Sequence, residues 1–411
     1  MIRWLIFIVI FGLLDFYAFQ SFKTITKSPW IHILYWLVSI LVLGNLVYQF
    51  YNFNRSEGFS QSNSIAIGFF IAFMVPKLIL LFFMFSEDVF RVPQALYSYF
   101  TAGDTVEGKH LPGRRKFVSQ VALGLAAIPF ASILYGIYKG RYNFKVLKYT
   151  LHFEDLPDAF DGYKLTQISD VHSGSFDDPE KVSYAIDLIN EQKSDVILFT
   201  GDMVNNKASE MEPYIDVFKK LEAKDGLYSV LGNHDYGDYI NWPSADAKQE
   251  NMNRLQAIQK EIGFDLLLNE HRYLSRGEEK LALVGVENWG KGGFKKAGDL
   301  KKAITGIDKD DFTILLSHDP SHWDQEVIPD NKHFHLTLSG HTHGMQFGIE
   351  IPGWFKWSPV KWRYKHWAGI YESMGQYINV NRGFGYLAFP GRVGIWPEIT
   401  VIELKKGSAN A

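Results

Sequence analysis

The sequence predicts an all-α transmembrane bundle followed by an α/β domain built as an αββα sandwich. Three observations carry this. Four long apolar runs fill the first third of the chain. From about residue 145 short apolar strands alternate with helices, the rhythm of a largely parallel buried sheet. Beyond about residue 280 strands dominate, which fits a second sheet packed on the first with helices outside.

The apolar runs are Trp4–Phe19, Trp30–Tyr51, Ile65–Phe85 and Phe117–Tyr138. Each is near the ~20 residues that cross a ~30 Å hydrocarbon core as a helix. The first is short enough for a signal peptide, but it lacks a small-residue cleavage site and three more spans follow, so it reads as retained. A membrane domain is expected at 1–140 and a second domain at 145–411. Residues 87–116 read as one long irregular connection, with Gly103, Gly108, Pro112 and Gly113 in it.

Two charges interrupt the first and third runs, Asp15 and Lys77. Those helices run in the same direction, so the charges fall at similar depth and suit an intramembrane pair. A structural pair that fixes helix packing is the plainer expectation, a transport role the other. Basic residues set the orientation. Lys23, Lys27, Arg91, Lys109, Arg114, Arg115 and Lys116 outnumber Arg3, Arg55 and the basic residues after the fourth run. The "GRRKF" cluster is therefore expected in the cytoplasm and the second domain outside it. "GRRKFVSQVALGLAAIPFA" also resembles a twin-arginine export signal.

In the second domain "YKLTQISD" reads as a strand, and Asp178-Pro179 starts a helix through "EKVSYAIDLINEQK", with Asp as N-cap and Pro in the first turn. "SDVILFTGD" is the next strand, with a helix near Pro213–Ala223. "GLYSVLGNHD" is the third, with a polar helix near Ala245–Ile262. "KLALVGVEN", "FTILLSHDP", "HLTLSGHTHG", "QYINVNRGF" and "EITVIELK" follow as strands, interrupted by one helix near Asp299–Thr305.

The net charge of −3 argues against a nucleic-acid partner bound by overall charge. The chain has no cysteine, which excludes disulfides, thiolate metal sites and cysteine nucleophiles. Polar residues instead gather at strand ends: Asp170 and His172, Asp202, the triplet Asn233-His234-Asp235, His318, and His341 with His343. Packing does not ask for acids, an amide and imidazoles at five strand ends. Oxygen and imidazole donors without sulfur suit Mn, Fe or Zn ions. Two such ions roughly 3.5 Å apart need a bridging carboxylate and can hold a hydroxide as nucleophile. Glycines beside the ligands let the backbone turn and leave space for a phosphate.

The ordered set Asp-x-His, Gly-Asp, Gly-Asn-His-Asp, His and Gly-His-x-His resembles the calcineurin-like metallophosphoesterase superfamily. It spans roughly residues 145 to 405 and is most similar to a bacterial membrane-associated branch. Members of that branch carry a twin-arginine-like leader and end as in "NRGFGYLAFPGRVGIWPEI". The resemblance implies an αββα metallophosphoesterase domain with two divalent or trivalent ions. Asp170, His172 and His343 would hold the first and Asn233, His318 and His341 the second, with Asp202 bridging. His234 would face the phosphate and assist the leaving oxygen. Asp235 is its orienting partner or a structural residue, and no ligand. Two departures stand out: Met345 where a second glycine is usual, and "GVEN" at Gly285–Asn288 where "GVDD" is typical.

The implied activity is hydrolysis of a phosphate ester or pyrophosphate bond by an integral membrane protein of the bacterial cytoplasmic membrane. Manganese is a candidate ion. The stretch "PGWFKWSPVKWRYKHW", residues 352–367, interleaves Trp and Phe with basic residues, which suits a bilayer interface or a lipid pocket; packing is the other reading. With the membrane domain it points to a lipid-linked substrate, for instance a nucleotide-linked acylated sugar of the UDP-diacylglucosamine kind. That choice needs a cytoplasmic site and conflicts with the expected orientation. A transporter or sensor whose metal domain binds a ligand without turnover is the alternative, resting on Asp15 and Lys77. Arg382 and Arg392 are candidates for phosphate contact or fold stabilisation. His152, His271, His322, His333, His335 and His366 read as surface or packing residues.

Overall fold

A computed structural model describes residues 2–101, 112–351 and 353–408. The chain divides into two compact units, one of Met1–Phe53 with Phe59–Tyr138 and one of Asn54–Gly58 with Lys139–Ala411.

The first unit holds α1 (Ile2–Ile25), α2 (Pro29–Tyr51), α3 (Gln61–Thr101) and α4 (Pro112–Tyr138), all long and apolar enough to cross a membrane. Their outward faces are rich in exposed Leu, Ile and Phe, while small Ala18, Ala122 and Ala126 are buried where the helices meet. In a lipid-facing bundle small residues let backbones approach. Asp15 and Lys77 pair at 2.5 Å, and the ammonium also donates to Ser39 Oγ at 2.8 Å. Both charges are buried, so this is an intramembrane ion pair closed on itself.

The expected irregular connection is helical in its first half, since α3 runs on to Thr101. Glu87 and Asp88 fix this extension by accepting from Arg115 at 2.9 and 2.6 Å. Pro93 is accommodated within the helix. Gly103, Gly108 and Lys109 lie outside the described residues.

The second unit has two six-stranded sheets. In chain order its elements are β1 (Lys145–Phe153), β2 (Lys164–Ile168), α5 (Pro179–Asn190), β3 (Val196–Phe199), α6 (Ile215–Phe218), β4 (Leu227–Ser229), α7 (Ala245–Ile262), β5 (Phe264–Leu266), β6 (Glu270–Arg276) and β7 (Glu279–Gly285). There follow α8 (Leu300–Ala303), β8 (Thr313–Leu316), β9 (Leu336–Ser339), β10 (Ile349–Ile351), β11 (Phe355–Trp357), β12 (Gly369–Ser373), β13 (Gln376–Val380) and β14 (Glu398–Lys406). The sheets are ordered β1-β14-β2-β3-β4-β5 and β12-β13-β9-β8-β7-β6. Within them β2, β3 and β4 are parallel, as are β7, β8 and β9.

Leu165, Leu198, Leu283, Leu316, Leu338 and Ile402 fill the space between the sheets. Side chains of the opposite parity on the first sheet, such as Ile197 and Phe199, pack with Val182 and Ile186 of α5 and Ile258 of α7. Trp323, Val327 and Leu300 cover the second sheet with Val284 and Leu315. The layers are therefore helix, sheet, sheet, helix. Asp178 caps α5 by accepting from Lys181 N, with Pro179 following.

The helix expected at Pro213–Ala223 is only the four residues of α6. Asn190 explains its end: its side chain donates to Lys220 O at 2.6 Å and accepts from Glu222 N at 3.0 Å. Those bonds occupy backbone groups that a further turn would use. His333 and His335 lie before β9 rather than on a strand.

Candidate metal centre

Every expected ligand sits beyond the C-terminal end of a central strand. Asp170 and His172 follow β2, Asp202 follows β3, Asn233 follows β4, His318 follows β8, and His341 and His343 follow β9. Parallel strands share a C-terminal edge, so alternating strands and helices deliver these residues together.

The backbone bends sharply to do so. Asp170, His172, Asp202, His341 and His343 take positive φ between 48° and 71°. For non-glycine residues such conformations cost of order 1–3 kcal/mol each and persist where the surroundings enforce them. Glycine is needed where loops touch: a Cβ at Gly340 would collide with Ser169 and the Asp170 carboxylate, and one at Gly232 with the Asp202 carboxylate.

Donor atoms converge in two groups. His343 Nε2 lies 3.2 Å from Asp170 Oδ1 and 3.0 Å from His172 Nε2. His318 Nε2 lies 3.2 Å from Asp202 Oδ2, and His341 Nδ1 lies 2.8 Å from Asn233 Oδ1. Asp202 Oδ2 is also 3.6 Å from His172 Nε2, which places this carboxylate between the groups. Ligand atoms of Asp170, His172 and His343 fall within 4.8 Å of one another, as do those of Asp170, Asp202 and His318.

Protonation fits a cation here. His318 Nδ1 donates to Thr200 O at 2.7 Å, while its buried Nε2 has no hydrogen-bond partner. Nε2 faces the Asp202 carboxylate at 3.2 Å, and that approach calls for a positive charge between them, a proton or a metal ion in its place. Burial alone would lower the His318 pKa, yet Asp202 and Asp170 push it up to about 10. Burial likewise opposes ionisation of Asp170 and Asp202, but His343 beside the first and His318 and His234 beside the second hold both below the usual carboxylate range. Burial keeps His172 and His341 neutral, the ligand form. The residues present therefore fit two ions of the oxygen- and nitrogen-seeking class.

Neighbours fix these donors. Asn233 Nδ2 donates to Tyr239 Oη at 2.8 Å, which turns its Oδ1 toward His341. His234 Nδ1 donates to Asn205 O at 2.8 Å, its backbone N donates to Asp202 Oδ1, and its ring lies 4.9 Å from that of His172. Asp235 accepts from the backbone N–H of Asp202, Met203 and Gly232 at 2.8–2.9 Å. It thus ties the loops after β3 and β4 together.

Three neighbours escaped the sequence reading. Asp319 is fully buried with Oδ2 3.3 Å from His341 Nε2, and the Tyr364 hydroxyl is 2.7 Å from the same nitrogen. Tyr239 packs its ring 4.5 Å from that of His234. Asp319 was legible as the acid beside His318 in "SHDP". Tyr364 was hidden among the Trp and Lys of the aromatic stretch.

Of the remaining candidates only Arg392 touches the centre, its Nη2 3.3 Å from His343 Nδ1. Arg382 bridges Glu350 and Glu398 at 2.5 Å each, a structural network. Arg392 is buried and donates to Gly385 O; burial lowers its pKa to about 9. His271, His322, His335 and His366 bond to Ala303, Ser317, Asp155 and Asp324. In the aromatic stretch Trp354 is 81% exposed and Trp362 76%, whereas Val360 and Trp367 are buried with Ile395. Met345, at positive φ, is 59% exposed.

Comparison with known families agrees with this geometry. Residues 163–345 match the family described as calcineurin-like phosphoesterase, and residues 2–141 match one described as a probable calcineurin-like phosphoesterase transmembrane domain. The metallophosphoesterase YkuE of Bacillus subtilis is 30% identical over 66% of this chain and 89% of its own length. The chain belongs to the calcineurin-like metallophosphoesterases. This metallophosphoesterase is also similar to a zebrafish (Danio rerio) transmembrane protein with metallophosphoesterase domain, 27% identical over 73% of this chain and 68% of that one. A Helicobacter pylori metallophosphoesterase is 24% identical over 97% of both chains. The protein is thus a membrane hydrolase acting on a phosphate substrate, in a family that uses a dinuclear metal centre.

Proposed function

We propose that this enzyme is a dimetal phosphohydrolase of the bacterial cytoplasmic membrane, with a membrane domain at 1–140 and an extracytoplasmic catalytic domain at 145–411. Asp170, His172 and His343 would hold one ion and Asn233, His318 and His341 the other, with Asp202 contributing to both. When bound, the ions would supply Lewis-acid stabilisation of the phosphoryl oxygens and lower the pKa of water toward neutral pH. The chain's own part is positional. Asp202 accepts from His234 N at 2.8 Å, so the residue between the two groups also sets the His234 loop. With Nδ1 engaged by Asn205, His234 offers Nε2 to the departing oxygen.

A lipid-linked phosphate ester or pyrophosphate is the favoured substrate class. Exposed Trp354 and Trp362 beside Lys361 and Arg363 suit a headgroup layer, rings at the interface and cations on phosphate.

The observation that carries the reading is Asp202 within 3.6 Å of both His172 and His318. The test is Mn²⁺-dependent hydrolysis of p-nitrophenyl phosphate and bis-p-nitrophenyl phosphate by the full chain in detergent, beside Asp202→Asn. Turnover lost in the variant is the expected result. Equal rates in both proteins would overturn the assignment.

A further inference from the structure

Beside the metal centre the second unit has a cavity of about 340 Å³ that the mechanism above does not use. Tyr364 forms the shared wall: it lines this cavity, and its hydroxyl is 2.7 Å from His341 Nε2. Pro320 and Ser321 line it as well, directly after His318 and Asp319.

The lining is cationic. Lys291, Arg363 and Lys365 face it from two separate loops, against one carboxylate, Asp324. Asp324 is engaged by His366 Nδ1 at 3.2 Å. Among the described residues neither Lys291 nor Lys365 has an acidic partner within 4.0 Å, unlike Lys301, which pairs with Asp330. Arg363 lies over the rings of Phe294 and Tyr364, at 5.2 and 5.6 Å. Three cations against one carboxylate in a concave site make a place for an anion.

Both cationic loops are held in place. The "GVEN" departure does this for the first: Asn288 Nδ2 donates to Lys295 O at 2.7 Å and Asn288 O accepts from Ala297 and Gly298. Lys291 N donates to Ser321 Oγ at 3.0 Å, which joins this loop to the segment after His318. On the second loop Ser358 Oγ donates to Gly344 O at 2.7 Å, fixing it to the turn after His343.

We propose that this cavity is a subsite for a second phosphate of the substrate, so that the enzyme prefers diphosphate or bisphosphate compounds to simple monophosphates. The inference rests on the phosphohydrolase reading for the position of the first phosphate. A soluble bisphosphate and a lipid diphosphate present the same chemistry to Lys291 and Lys365.

Calorimetric binding to the metal-loaded full chain in detergent tests it, with two matched pairs of probes. Propyl phosphate is compared with propane-1,3-diyl bisphosphate, and farnesyl phosphate with farnesyl diphosphate. Each charge-assisted contact is worth about tenfold in affinity. The expected result is a preference of about tenfold or more for the doubly phosphorylated member, collapsing in the Lys291→Gln/Lys365→Gln double variant. The same charge removed at exposed Lys260 and Lys309 should leave the preference standing. Preference confined to the farnesyl pair assigns the subsite to lipid diphosphates, and preference in both pairs to the shared group. No preference, or one that survives the double variant, overturns the subsite. Binding does not require turnover: preference in a protein whose p-nitrophenyl ester hydrolysis is unchanged by Asp202→Asn would overturn the metal-centre assignment and leave the subsite.

Discussion

His172 and His343 meet nitrogen to nitrogen, their Nε2 atoms 3.0 Å apart beside the Asp170 carboxylate. Two imidazoles at that distance can share one proton, but a cation satisfies both lone pairs at once. Metal removal should therefore destabilise the catalytic domain. An ion at a hundredfold excess over its Kd stabilises the folded state by about 2.7 kcal/mol, roughly 5–10 °C in Tm for a domain this size. Scanning calorimetry with EDTA and then with Mn²⁺ should show that shift, and His343→Ala should abolish it. A midpoint indifferent to both additions would count against a metal at this position.

Asp319 and Tyr364 act on the centre through His341, since both face the nitrogen that does not meet Asn233. Partners of this kind orient a ligating imidazole, and their loss typically weakens metal affinity about 10–100-fold. Asp319→Asn should fall in that range for one of the two ions, with Tyr364→Phe milder. Chelator competition with metal analysis separates the two ions. Wild-type retention of both in Asp319→Asn would remove Asp319 from the centre.

In the membrane unit the Asp15–Lys77 pair predicts asymmetric mutational behaviour. Breaking a buried pair leaves an uncompensated charge and costs about 3–5 kcal/mol, whereas replacing both partners by apolar residues is often neutral. Asp15→Asn should lower the unfolding midpoint in detergent markedly, and Asp15→Leu/Lys77→Met should recover most of the loss. A double variant as unstable as the single one would contradict a purely structural pair.

What the sequence made legible follows how locally each feature is written. The spans, the β2–α5–β3 rhythm and the strand-end position of Asp170, Asp202 and His318 were readable from apolar periodicity and from which residues end each run. β1 was not: its burial is mostly partial, and it exists because nine residues pair in parallel with β14, far away in sequence. The short α6 was equally hidden, since an Asn190 side chain from the preceding helix ends it. At the site, residue types announced the donors. Tyr364 reaches His341 from 23 positions further along the chain, beyond β10 and β11, with no periodicity to mark it.

His335 supplies a test away from the metal centre. Its Nδ1 accepts from Thr313 N at 2.9 Å, its Nε2 donates to Asp155 at 2.7 Å, and its ring stacks on Phe312. Burial, only partly offset by Asp155, pushes its pKa down to about 4. An unfolded histidine titrates near 6.5. Between these values the unfolded chain takes up a proton that the folded one refuses. The stabilisation is therefore complete above pH 6.5 and is lost progressively as pH falls toward 4. At about 1.4 kcal/mol per unit the whole effect is roughly 3.5 kcal/mol. His335→Gln lacks this titration, so wild type should exceed it most near pH 7.5, and the gap should shrink by about 2.5 kcal/mol by pH 4.5. Urea unfolding of both proteins followed by tryptophan fluorescence measures the gap. If it stays constant across that window, His335 is not held neutral by its burial.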